Sequence, residues 1–282
     1  MTIHLCFITF NRLEYTKLAL ASLLAEPTEQ FALTVWDNAS TDGTVEYLKK
    51  EVSDRRIVDI VFSKSNVGQT VAVNEIWSKS KADLLGKLDN DCLVTPGWTR
   101  ILSRAHNEIN KLGVVGCWNF FADDFDYKRA KHKIQTFGKH QIFRHPWICG
   151  TGLLIKRETF KKLGLFQNRA TTQYWLNMAA AGYINGFYFP LIYQEHMDDP
   201  KSAYCKINTE DGLRKAVNVT AGLQFRKFRN VEETLQWRRE IIRNLLDDPY
   251  DPHYYLGWRR RWRSAKSRLG KLSKSLLLGK NG

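Results

Sequence analysis

The chain of 282 residues is 43% hydrophobic and 12% aromatic, with a formal net charge of +14, so we expect a folded α/β domain with an appended segment. No stretch approaches 18 uninterrupted apolar residues, which argues against a membrane-spanning helix. The five cysteines are odd in number and have no C-x-x-C spacing, which argues against a disulfide framework or a zinc site. The N-terminus has neither a basic region nor a cleavage signal, so we expect a cytoplasmic protein.

Apolar runs alternate with helical patterns along the first ninety residues. Strands are predicted at residues 5–10, 31–35, 57–62 and 82–88. A helical pattern follows each of the first three strands, and Asn11 can cap the first helix. Repeated strand–helix units predict a mainly parallel sheet flanked by helices, and ligands of such sheets gather at the carboxyl ends of the strands.

Two carboxylates follow the fourth predicted strand. If the chain is extended there, Asp89 and Asp91 point to the same side and Asn90 points away. Two hard oxygen ligands at one place suit Mg²⁺ or Mn²⁺, which takes its other ligands from water and substrate phosphates. Taken alone, the sequence Asp-Asn-Asp at 89–91 also fits an acidic turn, because the side chains of Asp and Asn form hydrogen bonds to their own backbone in turns.

Short polar motifs follow the predicted strands in a fixed order. They read F-I-T-F-N-R at 7–12, W-D-N-A-S-T-D-G-T at 36–44, N-V-G at 66–68, L-D-N-D at 88–91 and G-T-G at 150–152. This series resembles the family-2 glycosyltransferases of the GT-A fold over about residues 2–200. The resemblance implies a Rossmann-like, mixed but mainly parallel sheet flanked by helices. It favours a metal site over an acidic turn, since context is what confirms a short motif.

The resemblance also implies roles for the residues at the strand ends. The donor would be a UDP- or GDP-sugar, and Asp89 and Asp91 would bind a metal. Asp37 would accept a hydrogen bond from a base N–H, although an ordinary Asx turn is the alternative. Arg12 would reach a phosphate, unless it is a solvated arginine at the helix start. The predicted nucleotide-binding residues are Thr9, Asn11, Arg12, Asp37, Asn66, Gly68 and Asp89.

One feature of the family is missing. Inverting members take their general base from an acidic pair. The corresponding positions in this chain are 170–173, which read Ala-Thr-Thr-Gln and contain no acid. The nearest substitute follows a strand predicted at 187–193. There His196 resembles the family's third metal ligand, and Asp198 or Asp199 would deprotonate the acceptor.

Several alternatives stay open at this point. His196 could be a surface residue, and the two aspartates could serve only for positioning in a retaining enzyme. A base could instead come from the acidic stretch at 123–126. The missing acidic pair also leaves room for a catalytically silent relative. A sugar-phosphate nucleotidyltransferase is a further alternative, although the loop after the first strand lacks the glycines that such an enzyme needs.

The C-terminal segment lies outside the resemblance. A helix is predicted at 231–246, and no acidic residue follows Asp251, whereas nine lysines and arginines do. Apolar residues then recur every three or four positions between Trp258 and Leu276, which predicts an amphipathic helix over about 257–278 in the interface of an anionic membrane. A basic nucleic-acid arm and a helix packed on the main domain are the alternatives, and membrane is favoured over nucleic acid.

The predicted organisation is a GT-A domain over 1–207, with a nucleotide-binding half at 1–91 and an acceptor half at 92–207. A helical extension over 208–282 follows. The predicted function is transfer of a hexose, with Mn²⁺ or Mg²⁺, to a hydroxyl of a glycan or lipid-linked acceptor. We expect this to occur in cell-surface polysaccharide or glycoconjugate synthesis, at the inner face of the membrane.

Overall fold

The computed structural model describes residues 1–167, 171–216, 226 and 228–257. Its strands are β1 Ile3–Thr9, β2 Ala32–Asp37, β3 Ile57–Phe62, β4 Leu84–Asp89, β5 Cys92–Val94, β6 Leu112–Gly116, β7 Ile134–Phe137, β8 His140–Arg144, β9 Leu153–Lys156, β10 Ile184–Phe189 and β11 Gln194–His196. Its helices are α1 Leu13–Leu24, α2 Thr44–Lys50, α3 Gln69–Lys79, α4 Trp98–Glu108, α5 Tyr127–Ala130, α6 Arg157–Leu163, α7 Thr172–Ala180, α8 Glu210–Ala216 and α9 Val231–Asp247. The amphipathic helix predicted at about 257–278 lies outside the described residues from 258 onward.

Most strands form one mixed sheet, in the order β3-β2-β1-β4-β9-β6-β10-β8-β7. The first four of these run parallel to one another, and β9 then lies antiparallel between β4 and β6. Strands β5 and β11 pair separately as a short antiparallel ribbon. The predicted fold class, a mainly parallel sheet flanked by helices, is confirmed.

Strand β1 is buried on both faces over residues 5–8, which explains the apolar run at these positions. Leu5 and Phe7 pack into the core on one side of the sheet, and Cys6 and Ile8 pack into the core on the other. A central parallel strand covered by helices on both faces has no polar face to show as alternation. The two cores therefore fix β1 in the middle of the sheet.

The pairing register brings the carboxyl ends of three strands together. Thr9 of β1 lies opposite Asp37 of β2, and Ile8 lies opposite Asp89 of β4. The polar motifs that follow these strands therefore share one edge of the sheet, as expected for a nucleotide-binding α/β fold.

In the predicted acceptor half, one strand differs from its predicted bounds and one hairpin was not predicted from the sequence. The strand expected at 187–193 is β10, which begins at Ile184 and ends at Phe189, because Pro190 has no N–H to continue the ladder. The region 119–146, which shows no clear periodicity, contains the β7–β8 hairpin. Its strands are four and five residues long, which is too short for a periodic pattern to be visible.

Helix α9 is fixed to the main domain at its C-terminal end. Leu245 and Leu246 are buried in the core that contains Ile8. The Nζ of buried Lys133 donates to the backbone oxygens of Leu245 and Asp248, at 2.5 and 2.8 Å, so it satisfies carbonyls that a helix end leaves unpaired. Within the described part of the chain, no helix has both the length and the apolar character needed to cross a bilayer.

Candidate active site

Asp91 and His196 are brought together by the β5–β11 ribbon. Asp91 lies in the turn before β5, and Cys92 of β5 pairs with His196 of β11. The Nε2 of His196 is 3.8 Å from Oδ1 of Asp91. Potential ligand atoms of Asp91, Cys92 and His196 all lie within 4.8 Å of one another. The structure thus joins two of the three predicted metal ligands.

The donor atoms of this cluster fit a cation of the Mn²⁺ type. Burial raises the pKa of Cys92 well above its ordinary value, and a soft sulfur ligand is not one that Mn²⁺ or Mg²⁺ prefers. A carboxylate oxygen and an imidazole nitrogen remain, a combination that suits Mn²⁺. The Nδ1 of His196 accepts from the backbone N–H of Asp198 at 3.2 Å, so binding of a cation at Nε2 would move the proton to Nδ1 and break this bond.

Asp89 is held next to this cluster by Lys87, a residue that the sequence analysis did not single out. The two residues are two apart on β4, so their side chains share one face, and Lys87 forms an ion pair with Asp89. The backbone N–H of Asp89 donates to Oγ1 of Thr151 at 2.9 Å. Burial raises the pKa of Asp89 and Lys87 opposes this rise, so the lysine helps to keep the carboxylate ionised.

Arg12 forms ion pairs with both Asp91 and Asp198. Its Nη1 is 3.2 Å from Oδ2 of Asp91, and its Nη2 donates to Oδ1 of Asp198. The guanidinium also lies 4.1 Å above the ring of Tyr15. Burial alone would lower the pKa of Arg12, but the two carboxylates raise it. Arg12 therefore brings a permanent positive charge to the cluster, within the protein and not in solvent.

Asp37 is fully buried at the end of β2. Its Oδ2 accepts from the backbone N–H of Ser40 at 3.0 Å. Its Oδ1 has no hydrogen-bond partner among the described residues. Because an unpaired buried carboxylate oxygen is costly, it marks a place where a ligand donor would be stabilising.

The other predicted nucleotide-binding residues fix the loops around Asp37. Asn11 donates its N–H to Oγ of Ser40 and accepts from Thr41, so it clamps the first loop to the second. The Oγ1 of buried Thr9 lies within hydrogen-bond distance of Thr16 and Asn90.

The third loop is fixed in a similar way. The Oδ1 of Asn66 accepts from the side chain of Asn38 and from the N–H of Gly68. Gly68 has φ +79° and ψ 156°, a conformation that only glycine adopts without strain. Contacts of Thr9, Asn11, Asn66 and Gly68 with a nucleotide stay predictions.

Asp198 and Asp199, the two predicted general bases, are buried in ion pairs. Asp198 contacts Arg12, and its second oxygen is buried with no partner in the described ranges. Asp199 accepts from both Nε and Nη2 of Arg238 on α9, at 3.1 and 2.5 Å. Each aspartate would have to leave a guanidinium before it could accept a proton from a substrate.

A cavity of about 510 Å³ opens beside the cluster. Asp89 and His196 line one side of it, and Trp237, Arg238 and Glu240 of α9 line another. Its volume is within the usual range for small-molecule sites. The aromatic side chains of Phe120 and Trp147 also line the cavity, whereas Trp118 is buried in the core.

A mixed Rossmann-like sheet with carboxylates and a histidine at its carboxyl edge, beside a cavity of this size, fits a glycosyltransferase of the GT-A class. The model of Glycosyl transferase family 2 matches residues 5–164. The chain belongs to this family and is therefore an enzyme that transfers glycosyl groups. This assignment overrules the nucleotidyltransferase alternative. No curated protein matches the chain.

Solved structures share the fold. One is the mannosyltransferase PcManGT from Pyrobaculum calidifontis in complex with GDP-Man and Mn²⁺, with TM-score 0.57, 17% identity, and coverage of 86% of this chain and 72% of that one. GalNAc-T7 with UDP, GalNAc and Mn²⁺ has TM-score 0.54 and 15% identity over 70% of this chain and 44% of its own. TarS of S. aureus has TM-score 0.54 and 12% identity over 84% and 47%. The chain spans less than half the length of the last two.

Proposed function

We propose that the protein transfers a sugar from a UDP- or GDP-sugar to a hydroxyl of a glycan or lipid-linked acceptor. The observation that supports this most is the position of His196, which belongs both to the Asp91 cluster and to the wall of the cavity. A donor whose diphosphate lies at the cluster would place its sugar in the cavity. The complexes of similar structures with GDP-Man, or with UDP and GalNAc, support this class of donor.

Asp91 and His196 would hold Mn²⁺ or Mg²⁺, with Asp89 as the neighbouring carboxylate. When bound, the metal neutralises the charge that grows on the departing diphosphate. Arg12 lies beside Asp91 and adds positive charge at the same place. At the other end of the donor, the unpaired Oδ1 of Asp37 would accept a hydrogen bond from a base N–H, which uracil and guanine both offer.

Association with the cytoplasmic face of a membrane is part of this proposal. It is supported by the sequence after residue 257, where nine basic residues and no acidic ones surround a repeated apolar stripe. A lipid-linked acceptor, in polysaccharide or glycoconjugate synthesis, would be reached at such a surface.

Calorimetry of UDP and GDP binding, with and without Mn²⁺, tests the metal site. We expect Mn²⁺ to raise nucleotide affinity about tenfold in the wild type and to have no effect in Asp91→Ala, because the variant keeps only His196 and a carboxylate, Asp89, that is already paired with Lys87. Asp59→Ala, at an exposed position of β3, is the matched control and should keep the Mn²⁺ effect. An unchanged Mn²⁺ effect in Asp91→Ala would contradict the proposal.

A further inference from the structure

Transfer to a hydroxyl with inversion needs a group that takes the hydroxyl proton as the new bond forms. In the structure Thr171 and Thr172, at the start of α7, line the cavity where a carboxylate would be expected. Their hydroxyls can orient a substrate but cannot act as a base at neutral pH. The base must therefore come from another element that faces the cavity.

The carboxylates that line the cavity are Asp89 and Glu240. None of the residues outside the described ranges is acidic, so no further acid can enter the lining from those segments. Asp89 is ion-paired with Lys87 and lies beside the metal-type cluster. Glu240 is exposed and forms no salt bridge with a described residue, although its charge acts on Arg226, which also lines the cavity. Of the two carboxylates, Glu240 is the one that no salt bridge holds, so it can accept a proton.

Helix α9 presents Glu240 to the cavity by its own periodicity. Trp237, Glu240, Ile241 and Asn244 all line the cavity, and their spacing of three, one and three residues places them on one face of a helix. This face is held in place, because Arg238 is paired with buried Asp199 at the wall itself. Glu240 is thus carried by a fixed element and not by a loop.

Two polar atoms of residues that line the cavity lack partners in the described part of the chain. They are the buried indole Nε1 of Trp237 and the buried Oδ1 of Asn119. Arg226 lies 4.4 Å over the ring of Trp237, and it also lines the cavity. A hydrogen-bond donor and an acceptor beside a carboxylate are groups of the kind that bind the hydroxyls of a sugar.

We propose that Glu240 is the general base of an inverting transfer, which rests on the function proposed above. The acceptor oxygen forms a bond to the anomeric carbon of the donor sugar. The bond from that carbon to the diphosphate oxygen breaks, and its electron pair leaves with the nucleoside diphosphate. The acceptor proton passes to the carboxylate of Glu240. Asp198 and Asp199 then hold Arg12 and Arg238 in position.

The test uses cleavage of UDP- and GDP-sugars by the full chain with Mn²⁺, with water or azide as the attacking group. Water must lose a proton, whereas azide has none to lose. For Glu240→Gln we expect cleavage with water to slow by 10²- to 10⁴-fold, the usual contribution of a general base. Cleavage with azide, and the affinity for UDP or GDP, should stay near wild type. Glu232→Gln, exposed on the first turn of the same helix, is the control and should match wild type.

The outcomes separate this proposal from the one on which it rests. If the wild type cleaves no nucleotide sugar, the proposed function fails. If the wild type cleaves and Glu240→Gln keeps its rate with water within threefold, Glu240 is not the base. An equal loss with water and azide, or a product of retained configuration by NMR, would also overturn the role of Glu240.

Discussion

The pair of Arg238 and Asp199 fixes α9 against the segment after β11, and its removal should be costly. Both side chains are largely buried, at 13% and 6% exposed. Arg238→Met keeps most of the side-chain volume but leaves the Asp199 carboxylate buried without its cation. Breaking a buried pair on one side costs about 3–5 kcal/mol. We therefore expect Arg238→Met to lower the free energy of unfolding by about 3 kcal/mol.

Urea denaturation of four proteins measures this effect: the wild type, Arg238→Met, Asp199→Asn and the double variant. The double variant should be more stable than Arg238→Met, because it no longer buries an unpaired charge, and this non-additivity reports the coupling directly. Arg239→Met is the matched control. Its guanidinium pairs with Glu232 at the surface, so it should change stability by less than about 0.5 kcal/mol. A loss below about 1 kcal/mol in Arg238→Met, or strict additivity, would refute the reasoning.

Two further predictions concern Lys133, which donates to the C-terminal end of α9, and the chain segment after Gly257. Burial lowers the pKa of Lys133 to about 8 from an ordinary 10.5, so the unfolded chain binds more protons between these values, and wild-type stability should rise with pH there. Between pH 7 and 10 the wild type should gain about 2–3 kcal/mol relative to Lys133→Met in urea denaturation; a constant difference would contradict the assigned pKa. A protein ending at Gly257 should keep nucleotide-sugar cleavage but lose flotation with anionic vesicles, because each of nine basic residues contributes about 1 kcal/mol near such a surface, less after screening. Equal flotation of both proteins would refute the membrane role, and neutral vesicles are the control.

The sheet was predictable because its signals are local. The apolar run of β1, the loops after β1 and β2, and the acidic motif after β4 are all visible within a few residues. Because parallel strands end at one edge, these local signals also place Asp37 and Asp89 near each other. The order of the motifs along the chain was therefore enough to predict that Asp37 and Asp89 lie at the same edge of the sheet.

The rest of the site depends on contacts that spacing does not show. Arg12 and Asp198 are 186 residues apart, and their contact could not be inferred from either local sequence. Strand β5 has three residues, so its pairing with β11, which positions His196, leaves no periodic signal. Glu240 looks like an ordinary charge on an amphipathic helix until the fold places that helix against the cavity. A buried lysine such as Lys133 is equally invisible in a polar stretch.

The attachment of α9 to the main domain affects the choice of boundaries for recombinant fragments of this enzyme. The family match ends at residue 164, yet one wall of the cavity comes from residues 237–244. A recombinant fragment cut at the family boundary would lose this wall, and it would also lose β10 from the main sheet and His196 from the Asp91 cluster. A chimera that exchanges residues 231–257 with those of a relative would, conversely, change this wall of the cavity while it leaves the strand ends that carry Asp37 and Asp89 in place.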